Sequence, residues 1–79
     1  MHWIKNVEYI ENYILLLKFE NDEYKEVDLL PFLNGKIFEP LKDISFFKQA
    51  KLNADIDTVV WPNNADFSPD FLYEVGCKK

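Results

Sequence analysis

The sequence predicts a two-layer α+β domain in which short helices cover an antiparallel sheet. Three strand-forming segments separated by short polar turns open the chain, and this order favours an antiparallel β-meander. A short helix, a second helix, a β-β hairpin region and a C-terminal helix are predicted to follow. The chain has 79 residues, 48% of them hydrophobic, so we expect a single domain spanning residues 1–79 with a small core.

The meander is predicted from strand-forming residues and turn chemistry. Residues 7–10, 13–19 and 24–29 are the three strand segments, and the second is central because it is the most apolar. Its odd-numbered residues share one face and its even-numbered residues share the other. Both faces are largely apolar, so something must cover each of them. Asp22 lies in the turn before the third strand, where it tolerates positive φ.

The middle of the chain is predicted to hold one helical turn and an extended connector. Residues 30–33 form the turn, which ends at Asn34-Gly35. Residues 36–41 are predicted to be extended, because Pro40 disfavours helical geometry at the residue before it.

A short helix and a hairpin are expected next. Asp43 is a good N-cap for a helix over residues 44–50. Residues 51–54 and 58–61 are strand-forming segments on either side of an acidic turn.

Residues 58–73 hold the clearest local signals in the chain. Pro62 cannot donate to a ladder and ends the strand before it, and Asn63-Asn64 favour a type I′ turn. Residues 65–67 are then a brief return strand. The last helix begins at Ser68-Pro69-Asp70, which supplies an N-cap, a proline at the first helical position and a negative charge at the positive end of the helix dipole. Gly76 is the expected C′ residue of that helix.

The same stretch resembles a known family. The residues that carry the likeness are Trp61-Pro62-Asn63, Ala65-Asp66, Pro69-Asp70 and Leu72-Tyr73. They are similar to the closing signature of the domain of unknown function 2442, a family of small bacterial proteins whose usual pattern is W-P-N-G-A-D, then P-E or P-D, then L-Y. The match extends over nearly the whole chain, and Phe19 and Val27-Asp28-Leu29 fit its first half. Asn64 stands where the family usually has glycine, and Asp22 stands where the family often has glycine.

The resemblance implies an α+β domain and a partner. It implies that a stand-alone member pairs with another small protein in a toxin–antitoxin-like arrangement. It adds no catalytic residue and no cofactor.

Charge and composition exclude several classes of function. The net charge is −5, and all nine basic residues are lysine, so the chain lacks the clustered positive charge that nucleic acids and anionic membranes require. We therefore expect no nucleic-acid and no membrane partner. The single cysteine, Cys77, cannot form an intramolecular disulfide, and the N-terminus does not resemble a signal peptide, so we expect a cytoplasmic protein.

Catalytic and metal-binding residues are not predicted. His2 is the single histidine and stands at the terminus, and Cys77 has no histidine near it in sequence. One histidine and one cysteine do not make a zinc site, and no glycine-rich phosphate loop or nucleophile elbow is present. We expect a protein that is not an enzyme and has no cofactor.

The remaining candidates are partner-binding residues, namely Trp61, Asn63, Asp66 and Tyr73. Trp61 and Tyr73 are large aromatic residues that serve either as core anchors or as interface hot spots. The Asp66 carboxylate either holds local backbone N–H groups or binds a ligand.

Two functional hypotheses follow. The first is a non-enzymatic interaction domain that binds a protein partner, or a second copy of itself, in an accessory or antitoxin-like role. The alternative is an oxygen-ligand site for a metal ion or small molecule around Asp66 and Asp70, with Asn63 beside them.

Overall fold

The computed structural model describes residues 2–78 and contains two antiparallel sheets. The larger sheet has four strands in the order β1-β2-β3-β6, and the smaller sheet pairs β4 with β5. The strands are β1 (Ile4–Glu11), β2 (Ile14–Phe19), β3 (Tyr24–Asp28), β4 (Lys51–Asn53), β5 (Thr58–Val60) and β6 (Cys77–Lys78).

Short helices connect the two sheets. Two 3₁₀ helices span Leu30–Phe32 and Lys36–Lys42, and the α-helices are α1 (Ile44–Phe47) and α2 (Pro69–Val75). None of the helices within residues 2–78 is long and apolar enough to cross a membrane. The predicted α+β fold, with its opening meander, is confirmed.

The core lies on one face of the larger sheet. Leu15 and Leu17 of β2 are fully buried, and they belong to one cluster with Phe47 of α1 and Leu72 of α2. The helices therefore lie on the side of the sheet toward which the odd-numbered side chains of β2 point. The buried apolar residues of the cluster are Ile4, Leu15, Leu17, Phe19, Val27, Leu29, Leu33, Leu41, Phe47, Val59, Trp61, Ala65, Phe67 and Leu72.

The predicted extended connector over residues 36–41 is wrong, because this segment is part of a 3₁₀ helix. The N–H of Phe38 donates to the Gly35 carbonyl at 3.1 Å, and the N–H of Asp43 donates to the Pro40 carbonyl at 3.2 Å. The fixed φ of proline suits 3₁₀ geometry, so Pro40 is accommodated between these two bonds. Burial of Leu41 in the core holds the segment in place.

The turn after β5 also differs from its prediction. Asn64 has φ of 68°, but Asn63 is not among the residues with positive φ, so the turn is not type I′. The N–H of Asn64 donates to the Trp61 carbonyl, and the N–H of Trp61 donates to the Ala65 carbonyl. These bonds define a three-residue hairpin loop whose last residue is left-handed. The predicted return strand over residues 65–67 is reduced to a single bridge between Val60 and Asp66.

The end of the chain holds a strand that sequence patterns did not predict. Ser68 occupies the N-cap position and Pro69 begins α2 as expected, but the Ser68 side chain makes no capping hydrogen bond. Gly76 has φ of −76° and ψ of 155°, so it is not a left-handed C′ residue. The chain continues from Gly76 into β6, which pairs antiparallel with β3. A Cβ at Gly76 would lie 3.0 Å from the Leu72 carbonyl oxygen and 3.0 Å from Val27 Cγ2. Glycine is therefore needed here for close approach between α2 and β3.

Candidate functional site

One face of the four-stranded sheet points away from the core, and we call it the outer face. Residues that lie directly opposite each other in an antiparallel pair share a face, so the register identifies its members. Leu16 of β2 is opposite Glu8 of β1 and Glu26 of β3, and Glu26 is opposite Cys77 of β6. The outer face comprises Asn6, Glu8, Glu11, Ile14, Leu16, Lys18, Tyr24, Glu26, Asp28 and Cys77.

Apolar side chains lie on the central strand of this outer face. Ile14 and Leu16 are half-buried, but neither belongs to the core cluster nor packs against it. Tyr24, on the neighbouring strand, has 42% of its surface exposed. Sequence patterns predicted that both faces of β2 would be covered, but residues 2–78 place their core on one face alone.

One end of the outer face is recessed. Val75 of α2 approaches it there and lines a cavity of about 170 Å³ together with Ile14, Glu26, Asp28 and Cys77. Cys77, which has an exposed free thiol, therefore stands at the border of this cavity. The cavity extends the apolar centre of the outer face toward the C-terminal strand.

Carboxylates on β1 and β3 flank the apolar side chains of β2. Glu8, Glu11 and Asp28 are exposed, and Lys18 is the one lysine on the outer face as the register defines it. The Lys18 ammonium already lies 3.7 Å from an Asp22 carboxylate oxygen. The outer face is thus apolar along β2 and carries carboxylates on both sides of that strand.

A second group of side chains surrounds Tyr73 of α2. The His2 ring stacks on the Tyr73 ring with centroids 3.6 Å apart and 1° between the planes. The Lys25 ammonium lies 3.6 Å from the Tyr73 ring centroid and donates to the Tyr73 carbonyl oxygen at 2.7 Å. Two groups this close must lie on opposite faces of the ring, while the ring of Phe19 meets Tyr73 at 89°. Tyr73 thereby ties α2 to the sheet and to the N-terminal segment.

The hydroxyl of Tyr73 also shifts the titration of a carboxylate. It donates to Glu23 Oε1 at 2.5 Å, and this bond is the main reason that the pKa of Glu23 lies below its ordinary value of 4.5. Partial desolvation opposes the shift, while a bond from Asn21 and the Lys78 ammonium at 3.7 Å add to it. The same bond to Glu23 raises the pKa of Tyr73 above its ordinary value of 10.0.

An open cavity of about 450 Å³ lies beside Tyr73, lined by His2, Lys25, Asp70, Tyr73 and Glu74. Its charged groups are of mixed sign. Asp70 accepts the backbone N–H of His2 at 2.9 Å, and Lys25 is bonded to Tyr73. Asp70 and Lys25 therefore hold the N-terminal segment and α2 in place.

The predicted partner-binding residues do not form one site. Trp61 is 2% exposed, and its indole N–H donates to the Phe47 carbonyl at 2.7 Å. Of the two roles considered for it, core anchor and interface hot spot, Trp61 has the first in this conformation. Tyr73 is half-buried among His2, Lys25 and Phe19. Whether either residue contacts a partner stays a prediction.

One alternative for Asp66 was hydrogen bonding to nearby backbone groups, and the structure shows Asn63 in this role instead. The Asn63 amide donates to the Ile37 carbonyl at 2.9 Å, and its Oδ1 accepts the N–H of Ala65 at 3.2 Å. Asp66 is exposed, and its carboxylate bonds to no other residue within 2–78. Asx-type bonding in the loop thus comes from the first asparagine rather than from the aspartate.

A family comparison fits the fold. The model of a protein family of unknown function, DUF2442, matches residues 4–76. The chain belongs to this family. The match includes the whole meander, both α-helices and the Trp61–Tyr73 signature of this DUF2442 chain. Neither a curated protein nor a solved structure shows significant similarity to it.

Sequence reasoning placed the candidate residues in the 58–73 stretch and proposed no site on the outer face, although it identified both faces of β2 as largely apolar. The signal for that face was present, because Ile14 and Leu16 alternate with the buried Leu15 and Leu17. The pairing of β2 with its neighbours, which alternation does not reveal, determines which carboxylates surround Leu16.

Proposed function

We propose that this DUF2442 chain is a non-enzymatic interaction domain and that a protein partner covers its outer face. The observation that carries the proposal is the position of Ile14 and Leu16. Both lie on the central strand of the sheet and face away from the core.

An uncovered sheet face normally carries polar side chains. Antiparallel sheets with one solvated face alternate apolar residues toward the core with polar residues toward water. β2 departs from this pattern, since Ile14 and Leu16 are as apolar as Leu15 and Leu17. Apolar surface at the middle of a face with a polar border is typical of protein interfaces.

A comparison between two surface variants tests this function. Tagged wild-type chain and its Leu16→Ser variant would be expressed in the source cells, and the proteins bound to each would be quantified by mass spectrometry. We expect at least one protein to bind the wild type in stoichiometric amount and to be lost with Leu16→Ser. A Leu30→Ser variant is the control, because Leu30 is 51% exposed and lies outside the outer face. The same set of bound proteins for all three chains would contradict the proposal.

The narrower form of the proposal is an accessory or antitoxin-like role in a bacterial protein pair, in the cytoplasm. The family resemblance supports it, and the net charge of −5 supports a protein partner over a nucleic acid. This form predicts that the bound protein inhibits growth when it is expressed alone. Co-expression with the wild-type chain is expected to restore growth, and co-expression with Leu16→Ser is not.

The alternative of a metal or small-molecule site around Asp66 and Asp70 has less support. The Asp70 carboxylate accepts the His2 backbone N–H, and the Asn63 side chain is used within its own loop and by Ile37. Within residues 2–78, no three His, Cys, Asp or Glu side chains come together as a metal-binding group. A thermal-shift screen with divalent cations would support this alternative by showing stabilisation that is lost in Asp66→Asn.

A further inference from the structure

We infer that the partner segment that covers the outer face is a basic amphipathic helix, with an apolar stripe flanked by lysine or arginine side chains. This inference rests on the proposed function and adds the chemistry of the partner. It is drawn from the arrangement of charge around Leu16.

The charged side chains of the outer face are carboxylates, apart from Lys18. Glu8 and Glu11 lie along β1, on one side of the central strand, and Asp28 lies on β3, on the other side. The side chains of Glu8 and Glu11 make no ion pair or hydrogen bond with any other residue within 2–78. Lys18 is paired with Asp22 and does not neutralise them. A partner that carries positive charge on both sides of an apolar stripe complements this arrangement.

The shape of the outer face favours a helix over a strand. The apolar side chains Ile14 and Leu16 form a row along β2, and acidic residues flank that row. A helix presents its apolar stripe along its length, with polar side chains on both borders of the stripe. A strand lying on the same face would direct every second side chain away from the sheet. The side chains that point toward the sheet would form a single row rather than an apolar stripe with polar borders.

The same charges oppose the other occupants. A second copy of this chain would bring Glu8, Glu11 and Asp28 against an identical acidic surface, which is repulsive near neutral pH. Nucleic acids and anionic lipids carry negative charge and are repelled for the same reason. A protein segment with basic side chains is the one occupant that gains from both the apolar centre and the acidic border.

Designed peptides test the inference directly. Three amphipathic helical peptides of about 14 residues share one leucine stripe, and their polar positions are lysine, glutamine or glutamate. Each would be titrated into ¹⁵N-labelled chain, and shift changes at the amides of β1, β2 and β3 would be followed. We expect the lysine peptide to perturb residues around Leu16, to bind more tightly than the glutamine peptide and to weaken with added salt. The glutamate peptide is expected not to bind.

Matched variants separate the border charges from overall charge. Glu8→Gln with Glu11→Gln removes two carboxylates from the outer face, whereas Glu20→Gln with Glu74→Gln removes two exposed ones elsewhere. We expect the first pair to weaken binding of the lysine peptide about three- to tenfold and the second pair to leave it unchanged.

The outcomes distinguish this inference from the proposed function. Equal affinity for the lysine and glutamine peptides, or an equal effect of the two double variants, overturns the basic partner but leaves a covered outer face intact. The absence of any perturbation by the three peptides overturns the inference, and the capture experiment with Leu16→Ser then decides the proposed function by itself. Concentration-dependent self-association through β2 would overturn the basic helical partner and would indicate that a second copy of this chain covers the outer face.

Discussion

The hydroxyl of Tyr73 donates to Glu23 Oε1 at 2.5 Å and joins residues that are 50 positions apart in sequence. Tyr73 lies on α2 and Glu23 lies in the turn between β2 and β3. This bond holds the last helix against the end of the meander opposite to the cavity that Ile14 and Cys77 line. Its consequences for titration are measurable without a known partner.

Replacing Tyr73 by phenylalanine is expected to raise the pKa of Glu23 toward its ordinary value of 4.5, because the largest cause of its depression is removed. The side-chain carboxyl shift of Glu23, followed by NMR through an acid titration, measures this change. Tyr24→Phe is the control, since its hydroxyl does not bond to Glu23. An unchanged pKa of Glu23 in Tyr73→Phe would show that the bond does not persist in solution.

The pH dependence of stability follows from the same pair. A depressed Glu23 pKa stabilises the folded state above the ordinary value of 4.5, and this contribution is lost as the pH falls through the folded-state pKa. A raised Tyr73 pKa stabilises the fold below the ordinary value of 10.0, and that contribution is lost as the pH rises through its folded-state pKa. Urea unfolding of wild type and Glu23→Gln should therefore differ at neutral pH and converge in acid. A difference that stays constant down to acidic pH would contradict this assignment.

Gly76→Ala is expected to destabilise the fold by about 1–3 kcal/mol through overpacking. The φ of −76° suits alanine, so the cost is steric, arising from contacts of 3.0 Å with Leu72, Lys25 and Val27. Hydrogen exchange at Cys77 and Lys78 should accelerate, because these contacts set the approach of β6 to β3. Any cost of Gly35→Ala has a different cause, because the φ of Gly35 is 92° and a Cβ there would have nothing within 4 Å. This variant should leave hydrogen exchange in β6 unchanged. Equal effects of both variants on β6 would contradict the steric explanation.

Substitutions of two adjacent leucines test which face of the sheet the free chain buries. Leu17→Ser removes a fully buried side chain and is expected to cost about 3–5 kcal/mol, enough to unfold much of a small domain. Leu16→Ser lies on the outer face and is expected to cost about 1 kcal/mol or less. Urea unfolding monitored by circular dichroism measures both. A large cost for Leu16→Ser would mean that the free chain buries this face, contrary to the structure.

The fold was largely predictable because its strands follow local rules. The alternation in residues 13–19 predicted which side chains of β2 share a face, although it did not predict which face is buried. The turn preferences of Asp22 and Asn64 predicted positive φ at both residues, and the observed values are 67° and 68°. The family signature was equally local, and the match over residues 4–76 confirms it.

Features that depend on contacts distant in sequence were not predictable. The strand β6 has two residues and forms because α2 delivers it to β3, and the 3₁₀ helix at Lys36–Lys42 depends on burial of Leu41. Trp61 was placed among the partner-binding residues because aromatic residues suit both roles, and its hydrogen bond to Phe47 is invisible in sequence. The outer face is likewise defined by strand register.

The central claim is that a partner covers Leu16 in the cell. A photo-crosslinking amino acid placed at position 16 tests it most directly, with the same group at position 30 as an exposed control outside the outer face. We expect irradiation of the source cells to give one discrete crosslinked protein from position 16, absent from position 30 and rich in lysine or arginine at the attached segment. No discrete product at position 16, or identical products at both positions, would contradict the account.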